Sequence, residues 1–565
     1  MRTAQQIEAM VPAADRSAQR FPRLTPAQLE VVKLFASEPP REFAPGALMS
    51  QVGDRSVPAW FLLKGAVEII GRDGLDQQET LQRLSEGQFT GELHQLSGRP
   101  ALAGIVAGPE GCTVIALNAE QLRALMVGSA ELGELVMRAF ILRRVGLLER
   151  GVGPVLLGRA GSAELLRLQT FLSRNAYPHL VIDCSSDRGR QIIETLNLPA
   201  SDLPLLICSC GRLLKRPSNE EAGVWLGITP TLETDQLYDV AVVGAGPAGL
   251  ATAVYAASEG LSVLVLDGEV LGGQAGASMR IENYLGFPTG ISGAALTGRA
   301  VNQAQKFGAR VAIPLRVTQL RCDAEAGAHP QLTLSEQGAV RAKTVVVASG
   351  ARYRRPEIPD LQTYEGGSVH YWASPAEAKL CAGEEVALVG AGNSAGQAAV
   401  VLAPQVRRLT RIVRGSGLEA SMSRYLIDRI RRLPNVEIVV GTEVAALRGP
   451  GRGALEAITL RERRSGATRE LRVRQLFLFV GAEPNTAWLK GCVSLDEKGY
   501  VLTGADRAGA TSVADRCSLQ TSLPRVFAVG DVRAGSTKRV ASAVGEGAAA
   551  VAQVHACLGA VSATV

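Results

Sequence analysis

Three kinds of hydrophobic patterning follow one another along the chain. In residues 20–150, Thr25-Pro-Ala-Gln-Leu-Glu-Val-Val-Lys-Leu-Phe35 has the spacing of a helix. Glycine-punctuated apolar runs such as Trp60-Phe-Leu-Leu-Lys-Gly-Ala-Val-Glu-Ile-Ile70 predict strands. A long apolar-periodic stretch from Ala130 to Glu149 closes the region, so a β-roll with helical flanks is expected. Beyond the linker Gly151-Val-Gly-Pro154, residues 152–228 alternate a strand (Val155–Gly158), a helix (Ser162–Asn175), a strand (Leu180–Asp183), a second helix and the strand Leu205-Leu-Ile-Cys208. That alternation predicts one small βαβ-rich unit. After a second linker, Thr229 to Asp235, the pattern from Tyr238 to the end is α/β.

Composition narrows the functional classes. The 565 residues are 46% hydrophobic and 20% charged, which is globular composition sufficient for three to five units. Sixty Lys and Arg against 54 Asp and Glu leave a net charge of +6 spread along the chain, so neither nucleic acid nor a membrane surface is expected as a partner. No apolar run reaches the ~20 residues that span a bilayer, and Met1 to Arg20 lack the apolar core of a secretory signal, so the expectation is a cytoplasmic protein. The nine cysteines include no C-x-x-C, and only Cys208 and Cys210 are close in sequence. Reduced thiols are expected rather than a disulfide frame, and no metal site. The five histidines form no triad and no ligand spacing.

Two glycine-rich loops carry the chemistry. Val240-Ala-Val-Val-Gly-Ala-Gly-Pro-Ala-Gly249 runs from a strand into G-x-G-x-x-G and an alanine-rich helix. Gly244 permits the tight turn, Gly246 a close approach of the backbone to a pyrophosphate, and Gly249 close helix–strand packing. The next strand ends at Asp267, 23 residues after Gly244, where a ribose-binding carboxylate is expected. The second loop, Gly390-Ala-Gly-Asn-Ser-Ala395, follows the strand Glu385–Val389 and has alanine in the third glycine position. The strand after it ends without an acid, and Arg414 there favours a 2′-phosphate, hence NADPH over NADH.

With Gly272-Gly-Gln274, Glu282-Asn-Tyr-Leu-Gly-Phe-Pro288, Ala348-Ser-Gly-Ala351, Val480-Gly-Ala-Glu-Pro-Asn485, Val526-Phe-Ala-Val-Gly-Asp531 and Lys538-Arg-Val-Ala-Ser-Ala-Val-Gly-Glu-Gly547, residues 238–565 resemble the low-molecular-weight thioredoxin reductases. The resemblance implies two nested Rossmann-like lobes, a nucleotide lobe (352–470) interrupting an FAD lobe (236–351 and 471–565). It places FAD on Gly244, Gly246, Pro247, Ala248, Gly249 and Asp267. Further FAD residues would be Gly273, Gln274, Asn283, Gly350, Asp531, Lys538, Arg539 and Val540. NADPH, or NADH, would sit on Gly390, Gly392, Asn393, Ser394, Ala395 and Arg414. Members of the family are usually homodimers. Where they carry Cys-Ala-Thr-Cys, this chain reads Tyr371-Trp-Ala-Ser-Pro375, with Trp372 and Pro375 at the thiol positions. Indole and pyrrolidine cannot relay electrons as a dithiol does, so no catalytic residue is expected there.

Residues 20–150 resemble a cyclic-nucleotide-binding domain through Phe89-Thr-Gly-Glu-Leu-His-Gln-Leu-Ser-Gly-Arg-Pro100. The resemblance implies a cyclic nucleotide effector held by Gly91, Glu92, Leu93 and Arg99, with Pro100 competing for the arginine position. Residues 152–228 resemble a thioredoxin or glutaredoxin fold with Pro204 on its cis-proline strand and no thiols at the usual place. The expected fold class is thus α/β throughout the C-terminal half, preceded by the β-roll and the small α/β unit. The expected function is an FAD-dependent oxidoreductase carrying electrons from NAD(P)H to an external acceptor such as ferredoxin, flavodoxin or another redox protein. Two alternatives stand beside it: a flavin-based redox or cyclic-nucleotide sensor that barely turns over, and disulfide reduction through Cys208 and Cys210, against which stands a reading of both as buried strand cysteines.

Overall fold

The structure is a computed structural model that describes residues 13–72, 78–208, 212–233, 235–321, 329–335, 338–373, 375–450, 454–504 and 519–562. Cys210, Cys322 and Cys517 lie outside the described residues.

The N-terminal strands Arg41–Phe43, Leu48–Ser50, Ala59–Arg72, Gln78–Ser85 and Ala103–Leu117 pair antiparallel in one curved sheet. The helix Ala130–Arg150 closes it, started by Ser129, whose hydroxyl accepts from the Leu132 amide. Phe61 stacks on Phe89 at 5.2 Å, and Phe140 from the long helix lies on Phe89 at 6.1 Å. This aromatic seam fixes the helix against the roll, since such pairs add to the burial of the rings themselves.

The second unit is a four-stranded sheet in the order Leu180–Asp183, Val155–Gly158, Leu205–Ile207, Leu213–Lys215, parallel in its first pair and antiparallel in the others. The Leu203–Pro204 peptide bond is cis. The strand ends at Ile207, and beyond it the Cys208 amide donates to the Arg212 carbonyl at 2.9 Å. Cys208 is buried; Cys210, the other member of the close pair, lies outside the described residues.

In the first C-terminal lobe the strands Arg310–Ala312, Val263–Leu266, Leu237–Val243, Ala339–Val347 and Val526–Ala528 run parallel, and Gln331–Leu334 and Val317–Arg321 add an antiparallel edge. Val240, Val242, Leu264 and Val346 are fully buried, as strands covered on both faces require. Helix Pro247–Ser258 packs against Val540–Ser562 so closely that a Cβ on Gly547 would lie 2.2 Å from the Ala248 carbonyl oxygen. The second lobe is a parallel sheet in the order Val369–His370, Gln475–Leu478, Glu385–Val389, Arg408–Val413, Val436–Val440. Because Gln475–Leu478 pairs within this sheet, the nucleotide lobe runs past residue 470, the boundary expected from the sequence. The two connections between the lobes pair with each other as an antiparallel ribbon, Ala351–Tyr353 with Ala482–Pro484.

Among the described residues no helix is long and apolar enough to cross a membrane. Cys492 is disulfide-bonded, so the expectation of uniformly reduced thiols does not hold there.

Candidate functional site

The carboxyl ends of the parallel strands in the first lobe bring most of the predicted dinucleotide residues into one crevice. Gly244 sits at φ +116°, and a Cβ on it would lie 2.2 Å from the Ala348 carbonyl oxygen, so only glycine fits between the two strand ends. Gly249 is tighter still, with the Gly244 carbonyl oxygen 1.9 Å from a Cβ position. At Gly246 a Cβ would meet no protein atom within 4 Å, so this glycine faces the mouth of the crevice. Pro247 occupies the first helical position, where its missing N–H costs nothing. Ala248, buried behind it, touches the second part of the lobe at Gly530.

Asp267 holds this loop in place. One carboxylate oxygen accepts from the Ala245 amide at 2.8 Å and the other from the Glu269 amide at 2.8 Å. Burial raises its pKa, with these two bonds opposing. The amide of Gly272 donates to the Ala245 carbonyl, bringing Gly273 beside Gly246, and the Gln274 side chain donates to the Ala351 carbonyl. Gly350 accepts from the Asn485 amide at φ +63°. Burial also raises the pKa of Asp531, against the pull of Lys538, whose ammonium donates to the Asp531 carbonyl at 2.6 Å. Arg539 and Val540 lead into the C-terminal helix. Asn283 stands apart on an exposed turn beside Glu282, whose carboxylate binds Arg429 of the second lobe at 2.9 Å.

Two groups missed at the sequence level support the same crevice. Glu546 accepts from the Gly530 amide at 2.6 Å and pairs with Arg533 at 2.7 Å, fixing the Gly530–Asp531 turn. Arg174, on helix Ala163–Arg174 of the small α/β unit, donates to the Gly273 carbonyl. Glu546 lies within the Lys538–Gly547 motif; nothing local marked Arg174.

In the second lobe, Gly390 has φ +143°, and a Cβ there would meet the Phe479 carbonyl oxygen at 2.6 Å. Gly392 again faces open space, Ala395 is buried, and the Asn393 side chain accepts from the Ser423 amide at 2.7 Å. Arg414 is exposed at the end of the strand Arg408–Val413. Beneath the loop lies an unexpected cation: Arg411 is fully buried and donates to the Gly390 carbonyl at 3.1 Å, with burial lowering its pKa to about 10. Its charge adds a positive field where the helix N-terminus already favours phosphate.

Between the lobes is a crevice of about 420 Å³ lined by Gln274, Ser278, Tyr353, Trp372, Ser394 and Phe479, among others. The Trp372 indole donates to the Glu377 carboxylate at 3.1 Å, which pins the ring to this wall. Gln274 of the first lobe, Ser394 of the second loop and the wall that Trp372 occupies thus meet at one place. The cradles fit a flavin dinucleotide in the first lobe and a nicotinamide dinucleotide in the second: glycines too close for a Cβ, two helix N-termini, and, in the first lobe, a half-buried acid just past the end of the neighbouring strand. Replacing Asp267 by alanine is expected to weaken flavin retention about 10- to 100-fold, because the Ala245 and Glu269 amides lose a charged partner; titration of the stripped protein with FAD reads this directly.

The N-terminal cassette departs from expectation. Glu92 is buried, and its carboxylate binds Arg144 at 2.5 and 2.6 Å and the His94 Nδ1 at 2.6 Å. Burial alone would raise its pKa, but Arg144 and His94 hold it at about 2. Arg99, the expected phosphate clamp, turns away and donates to the Asn175 carbonyl at 3.2 Å. That carbonyl ends helix Ala163–Arg174, where the backbone dipole attracts a cation. Leu93 packs into the apolar core rather than lining the pocket beside Gly91 and Glu92.

Similarity to known proteins follows this division of the chain. Residues 238–547 match the family model described as pyridine nucleotide-disulphide oxidoreductase, and residues 40–129 match that of the cyclic nucleotide-binding domain. The F component of the alkyl hydroperoxide reductase of Pseudomonas putida is 33% identical over 319 residues, covering 56% of this chain and 58% of that protein. The chain thus spans little more than half the length of that relative. The thioredoxin reductase of Treponema pallidum is 32% identical over 319 residues, 56% of this chain and 96% of that one. The crystal structure of the T. acidophilum thioredoxin reductase superimposes with a TM-score of 0.51 at 27% identity, covering 57% of this chain and 99% of that one.

Proposed function

Because the chain belongs to the pyridine nucleotide-disulphide oxidoreductase family and carries a cyclic-nucleotide-binding domain at its N-terminal side, we propose that it is an FAD enzyme that draws electrons from NADPH or NADH and delivers them to an external redox partner without a dithiol of its own in the nucleotide lobe. A flavin bound there supplies hydride acceptance from the reduced nicotinamide and onward transfer of electrons. The chain's residues supply the rest. Gly244, Gly246 and the N-terminus of helix Pro247–Ser258 receive a pyrophosphate, and Asp267 orients the loop that does so. Gly390, Gly392 and the helix beginning at Asn393 offer the same geometry to the nicotinamide nucleotide.

The observation that carries this reading is the wall of the inter-lobe crevice. Trp372 stands where a relay thiol would have to be, held by Glu377, so electrons must leave to a group that the chain does not provide at that wall. Anaerobic stopped-flow mixing with NADPH and with NADH tests it. Rapid loss of flavin absorbance followed by reoxidation with a soluble acceptor is the expected result. Absence of bleaching by either nucleotide sinks the enzyme reading and favours a flavin-bearing sensor.

Arg414 sets the nucleotide preference. Its exposed guanidinium at the strand end offers a bidentate partner to a 2′-phosphate. Arg414→Ala is expected to raise KM for NADPH about 10- to 100-fold and to leave KM for NADH within about 2-fold. Equal effects on both nucleotides in steady-state assays would remove Arg414 from this role. The N-terminal units are proposed to modulate the flavin lobe, and the contact that supports this is the Arg174 bond to Gly273, one residue from Gln274 of the crevice.

A further inference from the structure

The pocket between the β-roll and helix Ala130–Arg150, together with the open space at its mouth, measures about 780 Å³ and is lined chiefly by apolar side chains, among them Ile69, Leu81, Leu84, Leu102 and Ile105. At its inner end lies Arg143, only 8% exposed. Its Nε donates to the Arg20 carbonyl at 2.9 Å and Nη1 to the Gly91 carbonyl at 2.8 Å, and the guanidinium lies 4.6 Å from the Phe89 ring centroid. Its Nη2 is buried and has no hydrogen-bond partner among the described residues. Ser50 Oγ, His94 Nε2 and Gln95 Nε2, on the same lining, are buried and without a partner in the same way. Buried polar atoms are rarely left so, and four in one cavity mark a place for a ligand.

Charge decides the class of that ligand. The lining carries Arg20, Arg143 and Arg150 but a single carboxylate, Glu92, whose oxygens are already taken by Arg144 and His94. Glu92 is therefore not available to a ribose hydroxyl, and Arg99 is not available to a cyclic phosphate. A neutral ligand would leave Arg143 buried without a counter-charge, which is costly.

We propose that this pocket binds a small amphiphilic anion, its carboxylate or phosphate head on Arg143 Nη2 and Gln95 Nε2 and its apolar body among Leu81, Leu84, Leu102 and Ile105, in place of a cyclic nucleotide. The site stands independently of the flavin reading.

Isothermal titration calorimetry of the full chain with octanoate, octyl phosphate, octanol and cyclic AMP tests it. Octanoate or octyl phosphate should bind one per chain, and the better of the two identifies the head group. Octanol should bind about 10- to 100-fold more weakly, the span of a buried charge-assisted bond. Arg143→Met should reduce the anions to the octanol level. Should that variant fail to fold, Ala103→Phe, which adds bulk to the partly buried apolar wall and leaves Arg143 itself unchanged, should abolish binding of all three octyl probes. Octanol binding as tightly as the anions, cyclic AMP occupying the pocket, or no binding of either anion overturns the proposal.

Discussion

Replacing Gly249 by alanine is expected to abolish flavin retention and to lower the melting temperature of the C-terminal lobes by roughly 5 °C, whereas Gly246→Ala should abolish flavin retention and leave the melting of the stripped protein unchanged. The difference follows from what each new methyl group would meet. At Gly249 it would stand 1.9 Å from the Gly244 carbonyl oxygen and 3.1 Å from Val242, so the helix must move away from the strand and the loop that ends the strand moves with it. Neither obstacle can yield cheaply: the oxygen belongs to the backbone, and Val242 is fully buried in the sheet. At Gly246 no protein atom lies within 4 Å, so the folded chain tolerates the methyl, and only a pyrophosphate approaching the helix N-terminus is obstructed. Loss of two or more charge-assisted amide–phosphate bonds lowers affinity about 100-fold or more. Flavin content after gel filtration and thermal melting of the stripped proteins separate the two effects. A flavin-replete Gly246→Ala protein would remove this crevice from dinucleotide binding.

The same contrast explains what could be read from the chain itself. Gly244, Gly249 and Gly390 were legible because backbone passes so close to them that no other residue fits, a purely local constraint that appears as a spaced motif. The place of Asp267 beside the Gly244 loop was legible because its distance along the chain is set by one helix and one strand. Cations were not legible, because their meaning depends on which way a side chain turns after the units pack. Arg411 shares a strand face with Leu409 and Val413, an apolar company that says nothing of its partner, and only the packed sheet shows that the residue ends beneath Gly390. Arg143 and Arg144 are adjacent on one helix and diverge, one into the pocket and the other to Glu92 and, at 3.1 Å, to the Ala176 carbonyl. Arg99 had the right neighbours in sequence but was drawn to a helix C-terminus of the next unit. Only the docking of the small α/β unit against the roll reveals this, and no motif encodes docking.

Glu92→Gln should be the most damaging single change in the N-terminal half, lowering stability there by about 3–5 kcal/mol. Glutamine keeps the volume and an acceptor oxygen but removes the charge, leaving the Arg144 guanidinium, 6% exposed in its side chain, without a counter-ion. The expected signature in calorimetry is a shift of roughly 10 °C or more in the transition of the N-terminal unit. Acid should reproduce it in the unaltered protein. The carboxyl titrates at about 2 in the folded state against an ordinary 4.5, so the folded form gains roughly 3 kcal/mol from this group at neutral pH. A depressed carboxylate contributes fully above its unfolded value and loses that contribution as pH falls from about 4.5 toward 2. The Gln variant, lacking the group, should therefore show a flatter acid limb. Adding Arg144→Met to Glu92→Gln should recover part of the loss, since an apolar side chain of similar volume removes the stranded charge. It should also free the Ala176 carbonyl and so loosen the contact between the roll and the small α/β unit. If Glu92→Gln melts as the parent does at neutral pH, the ion pair is not what seals this cassette, and Glu92 regains its place as a candidate ligand to a ribose.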